Sequence, residues 1–167
     1  MNRRNALIFF CFVCLIWLAF IYILSSENGI TSSNSSNKIM YFIRDVIYKD
    51  FDCLDEKLKI AINRRLSLIV RKSAHIFLFM VLFILIFNFL FLLFNYHLSI
   101  LCSLILVLIC AIIDEIHQGF VLGRARSFSD VFIDMIGGFI GYLIVYFVIC
   151  RRRKNVWYAF TFICWWI

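Results

Sequence analysis

Apolar residues fall into four long runs along the chain, at residues 6–24, 76–94, 98–116 and 131–150. Each run approaches the ~20 residues that an α-helix needs to cross the hydrocarbon core of a bilayer. A lipid-exposed segment must satisfy its own backbone hydrogen bonds, and a helix does so. The pattern therefore predicts an all-α membrane protein, with a membrane domain at residues 6–150 built as a bundle of four transmembrane helices.

The segment between the first two runs follows a different pattern. Residues 25–37 are rich in Ser and Asn, which is typical of a flexible loop. Residues 38–70 repeat apolar side chains at helical spacing with a break at 50–52, which predicts an insert of two amphipathic helices. Such helices lie on the membrane surface or pack as a cap over the bundle, and the sequence leaves both arrangements open. The last segment, residues 151–167, is a basic and aromatic tail suited to the membrane interface.

The composition agrees with a membrane protein. Of the 167 residues, 64% are hydrophobic, against about 45–50% in a soluble domain. The net charge of +7 comes from small basic groups beside the apolar runs, so the expected partners are membrane lipids with anionic head groups rather than nucleic acid. Cys11 and Cys14 have CxxC spacing, but they lie inside an apolar run and are interpreted as helix-packing residues.

Four crossings place the end of the first helix, the start of the second, the end of the third and the start of the fourth at one membrane face. Arg3, Arg4 and residues 151–154 flank the opposite face. The positive-inside rule therefore predicts cytoplasmic termini in the cell membrane. The long loop after the first helix is also rich in Lys and Arg, which favours the opposite orientation. The denser basic residues beside the two termini favour cytoplasmic termini more strongly.

Charged and polar side chains gather at the face that the four crossings define. The candidate ligand-binding residues are Lys72, His75, Asp114, Glu115, Gln118, Arg124, Asp130 and Asp134. An ionisable side chain at the centre of a membrane helix costs ~2.5–3.5 kcal/mol on insertion scales, so such residues usually mark a functional site. The grouping predicts one polar cluster formed by residues that are distant in the sequence.

Several roles fit this cluster. The candidate acid–base residues are His75, Asp114 and Glu115, while the basic side chains would clamp a phosphate or carboxylate head group. A third role is to hold a divalent ion, with the acids and either His75 or His117 as ligands. No HExxH or EF-hand spacing appears, however, so neither a metal site nor a cofactor is predicted. The structural alternative is an ion-pair network that ties the helices together.

Helical spacing assigns some of these residues to faces. Asp114 and Gln118 are four apart and share a face, whereas Glu115 lies about 100° round the helix, so the two acids are expected to serve different partners. Gly137 and Gly141 form a small-xxx-small pair, which predicts that the last helix packs closely against a neighbouring helix. The helix of the third apolar run is the expected neighbour.

Three further polar or small residues have expected structural roles. Asn88 interrupts the second apolar run and is expected to form an interhelical hydrogen bond. Gly123 is expected to shape the loop before the last helix through a turn of positive φ. His117, taken alone, is expected to be a polar residue at a helix end rather than a ligand.

The order and spacing of these residues resemble the VanZ-like family. The matching segments are Arg71-Lys72-Ser73-Ala74-His75, Asp114-Glu115-Ile116-His117-Gln118-Gly119-Phe120, Gly123-Arg124, Ser129-Asp130-Val131 and Gly137-Gly138-Phe139-Ile140-Gly141, with Ser25-Ser26 after the first helix. The resemblance runs from about Ile16 to Tyr146. The chain departs from the family pattern at Leu122 and Asp134, where the family more often has Pro and Asn.

The resemblance implies a small bacterial multi-pass membrane protein whose signature is carried by Lys72, His75, Asp114, Glu115, Gln118, Arg124 and Asp130. The family's namesake is associated with low-level resistance to the glycopeptide teicoplanin, without altering the D-Ala-D-Ala terminus of the peptidoglycan precursor. We therefore expect a protein that binds or handles an anionic, lipid-linked or cell-wall-related molecule and contributes to glycopeptide resistance. The alternative is an integral-membrane hydrolase or transferase acting on a lipid-linked substrate, and a homo-oligomer is left open.

Overall fold

A computed structural model describes residues 2–26, 29–48, 51–122 and 127–154. The described residues form five α-helices and one short 3-10 helix. The α-helices are α1 (Arg3–Ser26), α2 (Gly29–Ile47), α3 (Glu56–Phe91), α4 (Tyr96–Gln118) and α5 (Phe128–Lys154), and the 3-10 helix is Phe51–Cys53. Four of the helices, α1, α3, α4 and α5, are long and apolar enough to cross a membrane. The predicted all-α fold with four transmembrane helices is confirmed.

α3 is much longer than the apolar run that predicted it. It begins at Glu56 and continues without a break to Phe91, so its 36 residues span about 54 Å, against a hydrocarbon core of about 30 Å. The second predicted amphipathic helix is therefore the first part of α3 rather than a separate surface helix. The sequence between these two ends contains no Gly or Pro, so nothing interrupts the helical backbone.

α2 begins within the segment that was predicted to be a flexible loop, so that prediction was wrong from Gly29 onward. Ser and Asn lower helix propensity by less than ~0.7 kcal/mol per residue, and tertiary packing overrides a penalty of that size. α2 packs against α3, and Met40 on α2 is buried. The guanidinium of Arg44 lies 4.9 Å from the ring centroid of Tyr41 and 4.4 Å from that of Phe51, which fastens α2 to the 3-10 helix.

The centre of the bundle is the membrane-spanning part of α3, which contacts α1, α4 and α5. Its side chains Phe79, Leu82 and Phe83 are fully buried. Asn88 donates its Nδ2 hydrogen bond to the carbonyl oxygen of Ile84 at 2.7 Å, within the same helix. The expected interhelical bond of Asn88 was therefore wrong, because the carbonyl one turn earlier satisfies the amide inside its own helix.

α1 runs antiparallel to α3. At one end of the bundle the Nε and Nη2 atoms of Arg3 donate to the carbonyl oxygen of Leu92 at 3.0 and 2.7 Å. Halfway along α1, Trp17 Nε1 donates to the carbonyl oxygen of Leu78 at 3.0 Å. The start of α1 therefore lies at the same face of the bundle as the end of α3. Because α4 runs antiparallel to α3 and α5 runs parallel to it, the end of α5 also lies at this face. The ends of α1 and α4 and the start of α5 lie at the opposite face.

α5 lies parallel to α3 at very close range. A Cβ atom built on Gly137 would overlap the carbonyl oxygen of Ile76, and one on Gly141 would lie 2.7 Å from a backbone oxygen of α3. Gly138 faces α4 instead, where its Cβ would lie 2.9 Å from Val107 Cγ1. The predicted close approach is present, but Gly137 and Gly141 meet the second apolar run rather than the third.

The basic residues at the end of the last apolar run belong to α5, which continues to Lys154. The predicted turn at Gly123, the candidate Arg124 and the aromatic part of the tail from residue 155 onward lie outside the described residues.

We predict that Gly137→Ala destabilises the folded protein by about 1–3 kcal/mol, because the added methyl group forces α5 away from the backbone of α3. In a helix without close packing the same change would stabilise the protein by about 1 kcal/mol. The sign of the change in stability therefore shows whether α5 packs against α3 at this position. Thermal unfolding of the purified protein in detergent measures the effect. Ile136→Ala, at an exposed position on the same helix, is the control. A Gly137→Ala protein as stable as the wild type would contradict the α3–α5 packing.

Candidate functional site

A polar cluster occupies the end of the bundle where α4 ends and α5 begins. Its members, called the polar cluster from here on, are Lys72, His75, Asp114, Glu115, Gln118, Asp130 and Asp134. They come from α3, α4 and α5, and they are all of the predicted ligand-binding residues except Arg124. The crossing pattern of the helices thus brings together residues that lie up to 62 positions apart (134 − 72).

Two charged pairs connect α3 to α5 within the cluster. The outer pair is Lys72 Nζ and Asp130 Oδ1, 3.7 Å apart, and its lysine side chain is half exposed. One turn further in, His75 Nδ1 lies 3.2 Å from Asp134 Oδ1. Asp134 is only 1% exposed. An ionised carboxylate only accepts hydrogen bonds, so the Nδ1–H of His75 is the donor when Asp134 carries its charge.

The two adjacent acids at the end of α4 have different partners. Asp114 Oδ2 accepts a hydrogen bond from Gln118 Nε2 at 2.6 Å, and both side chains are buried. Glu115 Oε1 accepts the backbone N–H of Ser127, directly before α5. A carboxylate is favoured at this point because the N-terminus of a helix carries a partial positive charge. This division matches the 100° separation that the sequence predicted.

Three side chains from three helices converge in the interior of the cluster. One nitrogen of His75, one oxygen of Asp114 and one oxygen of Asp134 all lie within 4.8 Å of one another. Within the described part of the chain, no Lys or Arg forms a salt bridge with either of these carboxylates. When both are ionised, the group carries two buried negative charges against at most one positive charge on His75.

A cavity of about 480 Å³ opens next to the cluster, between α1, α3 and α4. This volume lies within the range of small-molecule sites. The walls are mainly apolar, and polar groups come from the same helix ends as the cluster. The lining residues are Leu18, Ala19, Ile21, Tyr22, Phe79, Cys110, Ile113, Asp114 and His117. Asp114 therefore belongs both to the polar cluster and to the wall of this apolar cavity.

A second cavity of about 450 Å³ lies toward the other end of the bundle. Its lining residues are Leu7, Ile8, Cys11, Phe12, Leu15, Phe89 and Leu93. This lining contains no ionisable acid or base other than one thiol. The two cavities are similar in volume and differ in chemistry, so the second is a natural control for the first.

Sequence reasoning missed the contribution of α1 to the site. His117 Nε2 lies 3.0 Å from Ser26 Oγ, and its ring centroid is 4.5 Å from that of Tyr22. His117 is thus a helix-end residue, as expected, but it also joins α4 to α1 and lines the larger cavity. Tyr22 and Ser26 are four residues apart and lie on one face of α1. The sequence could have indicated the contact, because this polar face and His117 both lie at the membrane face where the first and third apolar runs end.

The fold and the cluster define a multi-pass α-helical membrane protein with a buried polar site beside an apolar cavity. A family model described as VanZ/LLP1 matches residues 10–151, a range that contains every residue of the polar cluster. The chain belongs to the VanZ/LLP1 family. No curated protein and no solved structure matches it.

We predict that the two α3–α5 pairs differ strongly in their energetic weight. His75→Ala leaves the buried Asp134 without its partner and should cost about 3–5 kcal/mol of folding free energy. Lys72→Ala removes a partner from a half-exposed pair and should cost about 0–1 kcal/mol. Unfolding by titration with a denaturing detergent, followed by circular dichroism, measures both. Equal losses of folding free energy from the two substitutions would contradict the burial of the His75–Asp134 pair.

Proposed function

We propose that this VanZ/LLP1 protein binds an anionic, lipid-linked molecule of the cell envelope. Its apolar chain would occupy the larger cavity, and its head group would lie at the polar cluster. The observation that carries the proposal is the position of Asp114, which belongs to both features. A ligand that fills an apolar cavity and also reaches buried charged groups must itself be amphipathic.

The preference for an anionic head group rests on the basic residues at this end of the bundle. Lys72 keeps a half-exposed ammonium group beside Asp130, and Arg71 precedes it in the sequence. The net charge of +7 adds a general attraction for anions. Arg124, outside the described residues, stays a predicted member of the site, since a guanidinium suits bidentate contact with phosphate.

Binding of a polyprenyl phosphate to the purified protein in detergent tests the proposal, and native mass spectrometry reads it out. We expect Ala19→Trp, which fills the larger cavity, to weaken binding about 10-fold or more. Cys11→Trp fills the second cavity and should leave binding unchanged. The neutral polyprenol of equal length should bind more weakly than the phosphate. Equal effects of the two Trp variants, or equal binding of both lipids, would contradict the proposal.

A second candidate is the integral-membrane hydrolase or transferase, and the bond between His75 and Asp134 favours it. A carboxylate at 3.2 Å from Nδ1 orients an imidazole for acid–base work. This candidate requires turnover of a lipid-linked substrate such as a polyprenyl diphosphate, with activity abolished in Glu115→Gln or His75→Ala. Binding of polyprenyl phosphate without turnover of the diphosphate would leave the first proposal standing and reject the second.

A contribution to resistance against teicoplanin-type glycopeptides belongs to the same proposal, because these antibiotics act at the outer face of the membrane. This role needs the polar cluster at the outer face and the termini in the cytoplasm, as the basic residues Arg3 and Arg4 and residues 151–154 favour. The bound envelope molecule would then lie where the antibiotic meets its target, and the protein would limit the access of the drug to that target.

Cys53 offers a direct test of this orientation. It is exposed and lies immediately before α3, on the side of the bundle that holds the polar cluster. With Cys150 and Cys164 replaced by Ser, a membrane-impermeant maleimide should label Cys53 in intact cells. Labelling that appears only after permeabilisation would place the cluster in the cytoplasm and contradict the role at the outer surface.

A further inference from the structure

We infer that His75, Asp114 and Asp134 form a binding site for a divalent transition-metal cation of the Zn²⁺ or Mn²⁺ type. The three side chains come from α3, α4 and α5, and one ligand atom of each lies within 4.8 Å of the other two. Their positions in the sequence have none of the short spacings of known metal motifs. A divalent ion held by the acids with His75 or His117 is one role that the sequence left open, and the packed bundle selects these three residues from that group.

The distances suit a bound ion. Ligand atoms bound at about 2.1 Å to one tetrahedral or octahedral ion lie about 3.0–3.5 Å from each other. His75 Nδ1 and Asp134 Oδ1 already have this spacing, at 3.2 Å. One carboxylate oxygen of Asp114 lies within 4.8 Å of a nitrogen of His75 and of an oxygen of Asp134.

Burial and charge give a second argument. Asp134 is 1% exposed and Asp114 is 7% exposed, and two carboxylates so close together repel each other in a low-dielectric interior. A divalent cation between them offsets both charges. His75 supplies a neutral nitrogen ligand and needs no charge of its own to do so.

The surroundings of the site orient one of its ligands. Gln118 Nε2 donates to Asp114 Oδ2 at 2.6 Å, and the Gln118 side chain is itself buried. Hydrogen bonds from neighbouring residues to metal ligands fix ligand orientation and tune affinity in known metal sites. This bond leaves the second oxygen of Asp114 available as a ligand atom.

The donor set selects the class of ion. One imidazole nitrogen with two carboxylate oxygens suits Zn²⁺ or Mn²⁺ better than Ca²⁺, which takes six to eight oxygens, or Cu⁺, which prefers sulfur. Three protein ligands leave at least one coordination position for another group. Asp114 also lines the larger cavity. The ion would therefore attract the anionic head group of a lipid in that cavity, a role that rests on the proposed function.

The test uses the full chain purified in detergent, stripped with a chelator and titrated separately with ZnCl₂ and MnCl₂. Bound metal is measured by mass spectrometry after desalting. We expect one equivalent per chain, with affinity lowered at least about 10-fold in His75→Gln, Asp114→Asn and Asp134→Asn. The matched controls are His97→Gln, an exposed histidine at the other end of α4, and Asp45→Asn, whose side chain is 62% exposed. Both controls should bind like the wild type.

Two additional measurements separate metal binding from a purely structural role. Metal should raise the unfolding temperature of the wild type and leave that of His75→Gln unchanged. Bound Co²⁺ should give visible absorption bands that His75→Gln weakens. Each variant is compared only as a monodisperse species in gel filtration. If one fails to fold, the remaining two ligand variants decide the result.

A wild-type protein that binds neither ion, or that binds them no better than the three ligand variants, would overturn the metal site and leave the cluster as an ion-pair network. A wild-type protein that binds polyprenyl phosphate but neither metal ion would reject this inference alone. Retained metal binding without any binding of the lipid would instead reject the proposed function.

Discussion

The close contact between α3 and α5 is the constraint on which the rest of the structure depends. In a bilayer, apolar side chains gain little by leaving lipid for a helix interface, so helices associate through close packing and polar contacts. The absence of side chains at Gly137 and Gly141 allows α5 to approach the backbone of α3. This contact fixes the register of the two helices about one turn away, where Asp134 meets His75, and about two turns away, where Asp130 meets Lys72.

The sequence predicted the main features of the fold and the grouping of the polar cluster's residues at one face. Four apolar runs predicted four spanning helices because membrane crossing demands a long uninterrupted apolar segment. The alternation of crossings placed the cluster at one face without any knowledge of packing. Within α4, the angular spacing of Asp114, Glu115 and Gln118 predicted their separate partners, because helix geometry alone determines it.

Features that depend on packing between helices could not be predicted in the same way. The helical spacing after residue 52 predicted a helix in this segment but not its continuation into the second apolar run, because hydropathy does not show whether two helical segments are joined. The partner of Gly137 was assigned to the wrong helix, since a small residue signals close approach but not the identity of the neighbour. The convergence of His75, Asp114 and Asp134 needs the relative rotation of three helices, which no single segment encodes.

The proposed function requires that the cavity beside the polar cluster holds the apolar chain of an anionic lipid. Photo-crosslinking tests it most directly, with a photoreactive amino acid at Ile113 in the larger cavity and, for comparison, at Leu15 in the second. We predict that a polyprenyl phosphate crosslinks at position 113 and far less at position 15. Lys72→Ala, which removes the ammonium group expected to attract the phosphate, should reduce the product. Equal crosslinking at both positions, unaffected by Lys72→Ala, would contradict the proposed function.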